Sequence, residues 1–190
     1  PFTMGNLSLG YELDSMSNIG ASIGLTSFAM KNDGHPMTTF SGGPYGTGFS
    51  YGNEMTMKNK NTSFNGSIDY QRFFNKDRTS SLTLSYLFST TPAENTNLRV
   101  YDPLPAGVTI PLKDLYSEAK MRGTEHTVQV DYTTPIGKGQ TLSTGLKFIA
   151  RRNSSDSKFY DIVSGANVYN ANNSVNYRNT QSILAEYAEY

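Results

Sequence analysis

Apolar and polar residues alternate with a period of two in several stretches of the chain, most clearly between Glu125 and Ala150. His126, Val128, Val130 and Tyr132 alternate with Thr127, Gln129 and Asp131. Pro135, Gly137 and Gly139 follow, and then Leu142, Leu146, Phe148 and Ala150 alternate with Ser143, Gly145 and Lys147. A period of two on both sides of a short Gly/Pro turn predicts a β-hairpin. One face of it is apolar, and the other carries Gln129, Asp131 and Lys147.

The same pattern predicts about seven antiparallel strands, near 5–13, 18–30, 62–73, 79–89, 124–133, 140–150 and 178–190. Short turns at 14–18, 74–78 and 133–140 alternate with long connections at 31–61, 90–123 and 151–177. Within the first connection 51–57 reads as a short extended segment. In the second, Pro92, Pro103, Pro105 and Pro111 argue against a long regular element, and 112–120 reads as a short helix or an extended arm. The expected fold class is therefore all-β, an antiparallel up-and-down meander.

Four segments share an apolar-x-apolar-x-Tyr form: Leu7-Leu9-Tyr11, Gly66-Ile68-Tyr70, Val128-Val130-Tyr132 and Ile183-Ala185-Tyr187. They recur at a spacing of about 60 residues, which fits one hairpin plus one long connection and exceeds a propeller blade or a helical repeat. The expected outward residues are the apolar ones, and Asp69, Gln129, Asp131 and Glu186 are expected on the opposite face.

Composition narrows the setting. The chain has 190 residues, no Cys, no Trp, 13 Tyr, 10 Phe and a formal charge of zero, with a hydrophobic fraction of 36%. Disulfides and thiolate metal sites are excluded. A neutral balance with no basic run beyond Arg151-Arg152 speaks against nucleic-acid binding. No apolar run approaches a membrane helix. Ser, Thr, Gly and Asn fill the positions between apolar residues too often for a well-filled soluble core. Strands with one apolar face, one polar face and aromatics at their ends suit a transmembrane β-barrel, with lipid outside and a polar lumen inside. In that setting Tyr11, Tyr70, Tyr132 and Tyr187 form a girdle beside the short turns, and Tyr86, Phe88 and Phe148 lie toward the other interface. The N-terminus has neither a basic region nor an apolar core of a signal peptide, so residues 1–190 are expected to be part of a longer chain.

The segments Asn6-Leu7-Ser8-Leu9-Gly10-Tyr11, Ser67-Ile68-Asp69-Tyr70-Gln71 and Ser182-Ile183-Leu184-Ala185-Glu186-Tyr187, with the short Asp/Asn/Lys turns and the Asn-rich connections, resemble the TonB-dependent receptor barrels of Bacteroidetes-type bacteria. The nearest resemblance is to outer-membrane β-barrel family proteins. It covers nearly the whole chain as a texture of strands, without a fixed motif. It implies residence in the cell outer membrane, a 22-strand barrel and energy-coupled import of a metal chelate, a vitamin or a glycan fragment. It also implies outer-membrane lipid, an N-terminal plug domain and TonB as partners of the full-length protein. Neither the plug nor the TonB-contacting box is present in these residues, nor are the remaining strands. The competing readings are a structural or adhesive barrel without coupled transport and a soluble β-sandwich binding module. An enzyme is not expected, and neither is a cofactor.

Ligand contacts are expected from the long connections, because binding residues commonly sit on segments held by a rigid scaffold. The candidates are Tyr45, Tyr51, Tyr101, Tyr116 and Tyr160 for stacking, and Arg99, Arg151 and Arg152 as forked charged donors. Met30, Met37, Met55 and Met57 around His35 offer soft ligands suited to copper; the plainer expectation is flexible apolar contacts. No metal site is expected. Asp69, Asp131 and Glu186 are expected to line a lumen, not to act as an acid–base pair. His126 is expected to be an interface residue, since no Ser/Asp pattern surrounds it. Gly42-Gly43-Pro44-Tyr45-Gly46 follows no strand-to-helix pattern, so a phosphate cradle is not expected.

Overall fold

The computed structural model describes residues 1–41 and 48–190. Among these the chain forms nine strands: β1 (Phe2–Asp14), β2 (Ser17–Gly34), β3 (Met37–Phe40), β4 (Phe49–Phe73), β5 (Ser81–Tyr101), β6 (Leu115–Gly137), β7 (Gln140–Val163), β8 (Ala166–Tyr169) and β9 (Val175–Glu189). They make one antiparallel sheet, in which β1, β2, β4, β5, β6, β7 and β9 follow in chain order. The short strands β3 and β8 fold back as hairpins on β4 and β7. The seven expected strands and their neighbour pairings are all present.

The strands are much longer than the alternation pattern predicts. β4 has 25 residues and extends roughly 80 Å at the rise of a β-strand, whereas a tilted strand crosses a bilayer in about 9–11 residues. The connections at 31–61, 90–123 and 151–177 are thus mostly paired strand, and 112–120 enters β6 instead of forming a helix. Asn, Lys, Thr and Ser hide this continuation in the sequence, because a sheet with water on both faces has no apolar face to alternate.

Pro92 lies inside β5, against the expectation that prolines break this region. It pairs with Arg122 on the β6 side. On the β4 side the ladder is interrupted between Asn61↔Ala93 and Phe64↔Thr90. A proline without an N–H fits where one neighbour makes no demand for it. Pro103, Pro105 and Pro111 fall in the unpaired connection 102–114.

Register fixes the faces. Leu7↔Ile23 and Leu9↔Ala21 join β1 to β2, and Ala21↔Ile68 and Ile19↔Tyr70 join β2 to β4. The same face continues through Ile68↔Tyr86↔Val128↔Phe148 and Tyr70↔Leu84↔Val130↔Leu146. The opposite face carries Asp69↔Ser85↔Gln129↔Lys147 and Gln71↔Thr83↔Asp131↔Gly145. Ser22 and Ser67 hydroxyls meet there at 2.8 Å. No apolar side chain is buried among the described residues. Ile68, Val128 and Leu146 stay about half exposed, while Thr127 and Gly145 on the polar face are buried. Side chains crowd on the concave side of a curved sheet, so the sheet curls around its polar face. A single sheet without an apolar core is incompatible with a soluble β-sandwich.

The upper edge of the apolar band runs obliquely. Leu25 and Phe64 share a row, which continues as Thr90 and Thr124. The outward apolar run that starts at the short turns first gives way to polar residues after Phe88 on β5 and after Val128 on β6, so between β4 and β6 the edge drops by four residues. A level hydrophobic slab produces this when strands are tilted and staggered, as barrel closure requires.

One expected facing is corrected. β9 pairs with β7 so that Leu184↔Phe148 and Glu186↔Leu146 share the apolar face, while Ile183, Ala185 and Tyr187 share the polar face with Ile149, Lys147 and Gly145. Tyr11, Tyr70 and Tyr132 remain on the apolar face and Tyr187 does not. The run Ile183-Leu184-Ala185 is apolar at both parities, so only the pairing decides which face it shows.

Candidate ligand site at the far ends of the hairpins

The ends of β3, β4 and β5 remote from the short turns bring several chemically distinctive side chains onto the polar face. Phe40↔Phe49 and Thr38↔Tyr51 pair β3 with β4, and Asn53↔Tyr101 pairs β4 with β5. The rings form a ladder: Phe40–Phe49 centroids lie 5.2 Å apart, Phe49–Tyr51 6.2 Å and Tyr51–Tyr101 6.0 Å. Aromatic cross-strand neighbours at such spacing stack favourably.

Directly below the ladder lie Asn53, Asn97 and Arg99. Asn53 Nδ2, Asn97 Oδ1 and Arg99 Nε are buried and have no hydrogen-bond partner among the described residues. All three belong to one face, since Asn53 is opposite Tyr101, Met55 opposite Arg99 and Met57 opposite Asn97. A buried polar atom without a partner costs about 1–3 kcal/mol, so three together mark a patch that is incomplete. The Tyr101 amide is held by Asp114 Oδ1 at 2.7 Å, which ties the end of β5 to the start of β6.

Of the residues singled out from the sequence, the structure thus brings Tyr51, Arg99 and Tyr101 together. The remaining ones go elsewhere. Tyr116 and Tyr160 pair across β6 and β7 with ring centroids 5.7 Å apart, and Tyr160 meets Tyr169 at 5.7 Å, on the face continuous with the apolar band. Burial first, and then the Glu118 carboxylate, push the Tyr116 phenol above its usual value. Arg151 is on the polar face, where its guanidinium binds Glu125 Oε2 at 2.6 Å. Arg152 is on the opposite face. Tyr45 lies outside the described residues. Asn53 and Asn97 were missed by sequence reasoning; two more asparagines in an Asn-rich stretch give no signal until pairing places them beside Arg99.

On the other face of the same hairpin end, His35 Nε2 lies 2.9 Å from Asp102 Oδ2. Both, with Met37 Sδ, crowd the space above Gly52. Among the described residues no three His, Asp or Glu side chains converge as metal ligands. Met30 and Met57 are on the polar face and do not join His35. His126 sits on the apolar face, with Nδ1 2.8 Å from the Tyr86 hydroxyl and its ring 5.0 Å from Phe88. Asp69 and Asp131 are on the polar face, but Glu186 is not.

An antiparallel meander with a tilted apolar band outside, a polar concave face inside and short turns at one end is the wall of a transmembrane β-barrel. Residues 72–190 match the model of the outer membrane protein beta-barrel family, and the chain belongs to that family. A search of curated proteins finds no match. The protein is an outer-membrane protein, and by the asymmetry of this class its short turns are periplasmic and its long hairpins extracellular. No helix among the described residues is long and apolar enough to cross a membrane; the crossing is made by strands.

Proposed function

We propose that the chain forms barrel wall of an energy-coupled outer-membrane receptor, which captures a nutrient at its extracellular rim and imports it with a plug segment and TonB as partners. One observation carries the reading: the patch of Asn53, Asn97 and Arg99 beneath the Phe40–Phe49–Tyr51–Tyr101 ladder, on the lumen side of the rim. A ligand with a flat face would stack on the ladder, and its polar groups would accept from Asn53 Nδ2 and Arg99 Nε and donate to Asn97 Oδ1. Glycan fragments and metal chelates have this combination of faces and polar edges. A purely structural or adhesive wall has no need of an incomplete polar patch turned toward its lumen.

The test uses cells expressing the whole protein and a panel of labelled oligosaccharides, vitamins and metal chelates. Arg99→Ala and Tyr101→Ala should each lower surface binding and uptake of one panel member about tenfold or more, the scale of a lost charged hydrogen bond. Removal of TonB should abolish uptake and leave binding. If no panel member is taken up in a TonB-dependent way, or if both variants bind and import as the parent does, the import reading fails and a structural or adhesive barrel stands.

A further inference from the structure

A second feature lies on the lipid side of the wall and involves none of the rim residues. Three arginines on three adjacent strands converge there: Arg122 on β6, Arg152 on β7 and Arg178 on β9. Thr124↔Arg152↔Thr180 form one row, and Arg122↔Ser154↔Arg178 form the next row toward the extracellular end. The side chains border a groove of about 510 Å³, with His126 and Ala150 toward the membrane and Ser154 and Thr180 between the arginines. Arg122 and Arg178 flank β7 at two strand spacings, roughly 10 Å across, and Arg152 stands between them one row lower.

The height of the cluster is informative. From Leu142 the outward residues of β7 are Leu142, Thr144, Leu146, Phe148 and Ala150, and the next one is Arg152. Leu142 to Arg152 is one bilayer-crossing strand, about 9–11 residues. The arginines therefore begin where the hydrocarbon ends on the extracellular side. Val128, Phe148 and Leu184 continue the same surface downward, and Leu184 is 74% exposed.

The charges are not used within the wall. Among the described residues Arg122, Arg152 and Arg178 make no ion pair, although Arg151, one residue away on the inner face, is paired with Glu125. The nearest outward carboxylates, Glu94 and Asp156, are one row higher. Both face Lys120 in the register, and Asp156 also lies 3.8 Å from Lys158. Three guanidinium groups around one groove repel each other unless an anion sits among them. A planar fork of N–H donors matches phosphate oxygens in a bidentate way, and the hydroxyls of Ser154 and Thr180 add neutral donors.

We infer that this groove binds the phosphorylated headgroup of an outer-leaflet lipid, whose acyl chains lie down the apolar surface of Val128, Phe148 and Leu184. Basic pockets at the end of a hydrocarbon span recognise anionic headgroups by this combination of charge and depth. The site is independent of the import reading, because it faces lipid and shares no residue with the rim patch.

The experiment is native mass spectrometry of the full protein in detergent, with phosphorylated lipid A, its dephosphorylated form and inorganic phosphate as probes. The parent should retain the phosphorylated lipid about tenfold better than the dephosphorylated one, and equimolar inorganic phosphate should not displace it. Combined Arg122→Gln, Arg152→Gln and Arg178→Gln should erase the difference, and the three Arg→Lys changes should preserve part of it, since charge remains without the fork. The single change Arg152→Gln gives the same reading should the triple variant misfold. Equal retention of both lipids, or undiminished preference in the Gln variants, overturns the inference. Displacement by inorganic phosphate overturns it too, in favour of a site for the free anion.

Discussion

The Tyr187 hydroxyl donates to Asp131 Oδ1 at 2.8 Å, reaching over a strand that contributes only Gly145 between them. A Cβ on Gly145 would lie 2.4 Å from the Tyr187 ring and 2.5 Å from Asp131 Oδ1. The glycine is the gap through which β9 is locked to β6 on the lumen face. Gly145→Ala is expected to cost about 1–3 kcal/mol through overpacking, and Tyr187→Phe about 0.5–1.5 kcal/mol through the lost hydrogen bond. The two should not add: in a Tyr187→Ala background most of the Gly145→Ala penalty should vanish. Urea titration of the protein refolded into lipid measures all three, and additive penalties would mean that the ring does not occupy the gap.

The register makes neighbouring residues of β6 differ sharply in their tolerance to change. Val130→Arg puts a charge at mid-height on the lipid face and should cost about 2–4 kcal/mol of refolding free energy. Gln129→Leu, one residue away, faces the lumen beside Lys147 and should cost far less. The same lipid-refolding titration decides the matter, and the reverse order of penalties would invert the faces of the whole sheet.

Asp14 closes the periplasmic turn between β1 and β2. It accepts from the Met16 amide at 2.7 Å, from the Ser17 hydroxyl at 3.2 Å and from Arg72 at 3.0 Å. The Met16 amide first, then Ser17 and Arg72, hold its carboxyl below the ordinary value of 3.8. A carboxyl lowered by folding stabilises the turn above its unfolded value, and the contribution disappears as pH falls through the lower folded value. The turn should therefore be insensitive to pH between neutrality and about 5, and should loosen only in acid below 3.8. Exchange protection of the Met16 amide followed against pH reports this directly; Asp14→Asn should show no such acid transition.

The extracellular parts of β4, β5 and β6 should behave as sheet and not as loops. Amides in 53–61 and 93–100 that point along the ladder should exchange slowly in the folded protein, at rates similar to those in 64–72. Amides in the unpaired connection 102–114 should exchange fast, apart from those with backbone or side-chain acceptors. Uniformly fast exchange from Asn53 to Asn61 would show that the hairpins are open in water.

The alternation of Val128, Val130 and Tyr132 with Gln129 and Asp131 was enough to read the sheet, the faces and the short turns. It worked wherever lipid selects one parity for apolar side chains. Beyond Thr90 and Thr124 both faces meet water, parity carries no selection, and the continuing strands look like loops. The facing of Tyr187 was illegible for a related reason, since Ile183, Leu184 and Ala185 offer an apolar stripe at either parity. At the rim, aromatic and Arg content pointed to Tyr51, Arg99 and Tyr101, and pairing places these three on one face. Their separation from Tyr116, Tyr160, Arg151 and Arg152 is a matter of register, which no local pattern of those residues contains.

A single register kept from the periplasmic turns to the hairpin ends also quantises how these arms can change in length. Removing one residue, such as Asn59, would turn Lys58 and everything beyond it to the other side of the ribbon, and would unseat the ladder with β5. Removing two residues from each facing strand keeps every remaining side chain on its face. The reach of the rim above the membrane can therefore shift in increments of about 7 Å, two strand residues at a time, while the lipid-embedded wall below stays as it is.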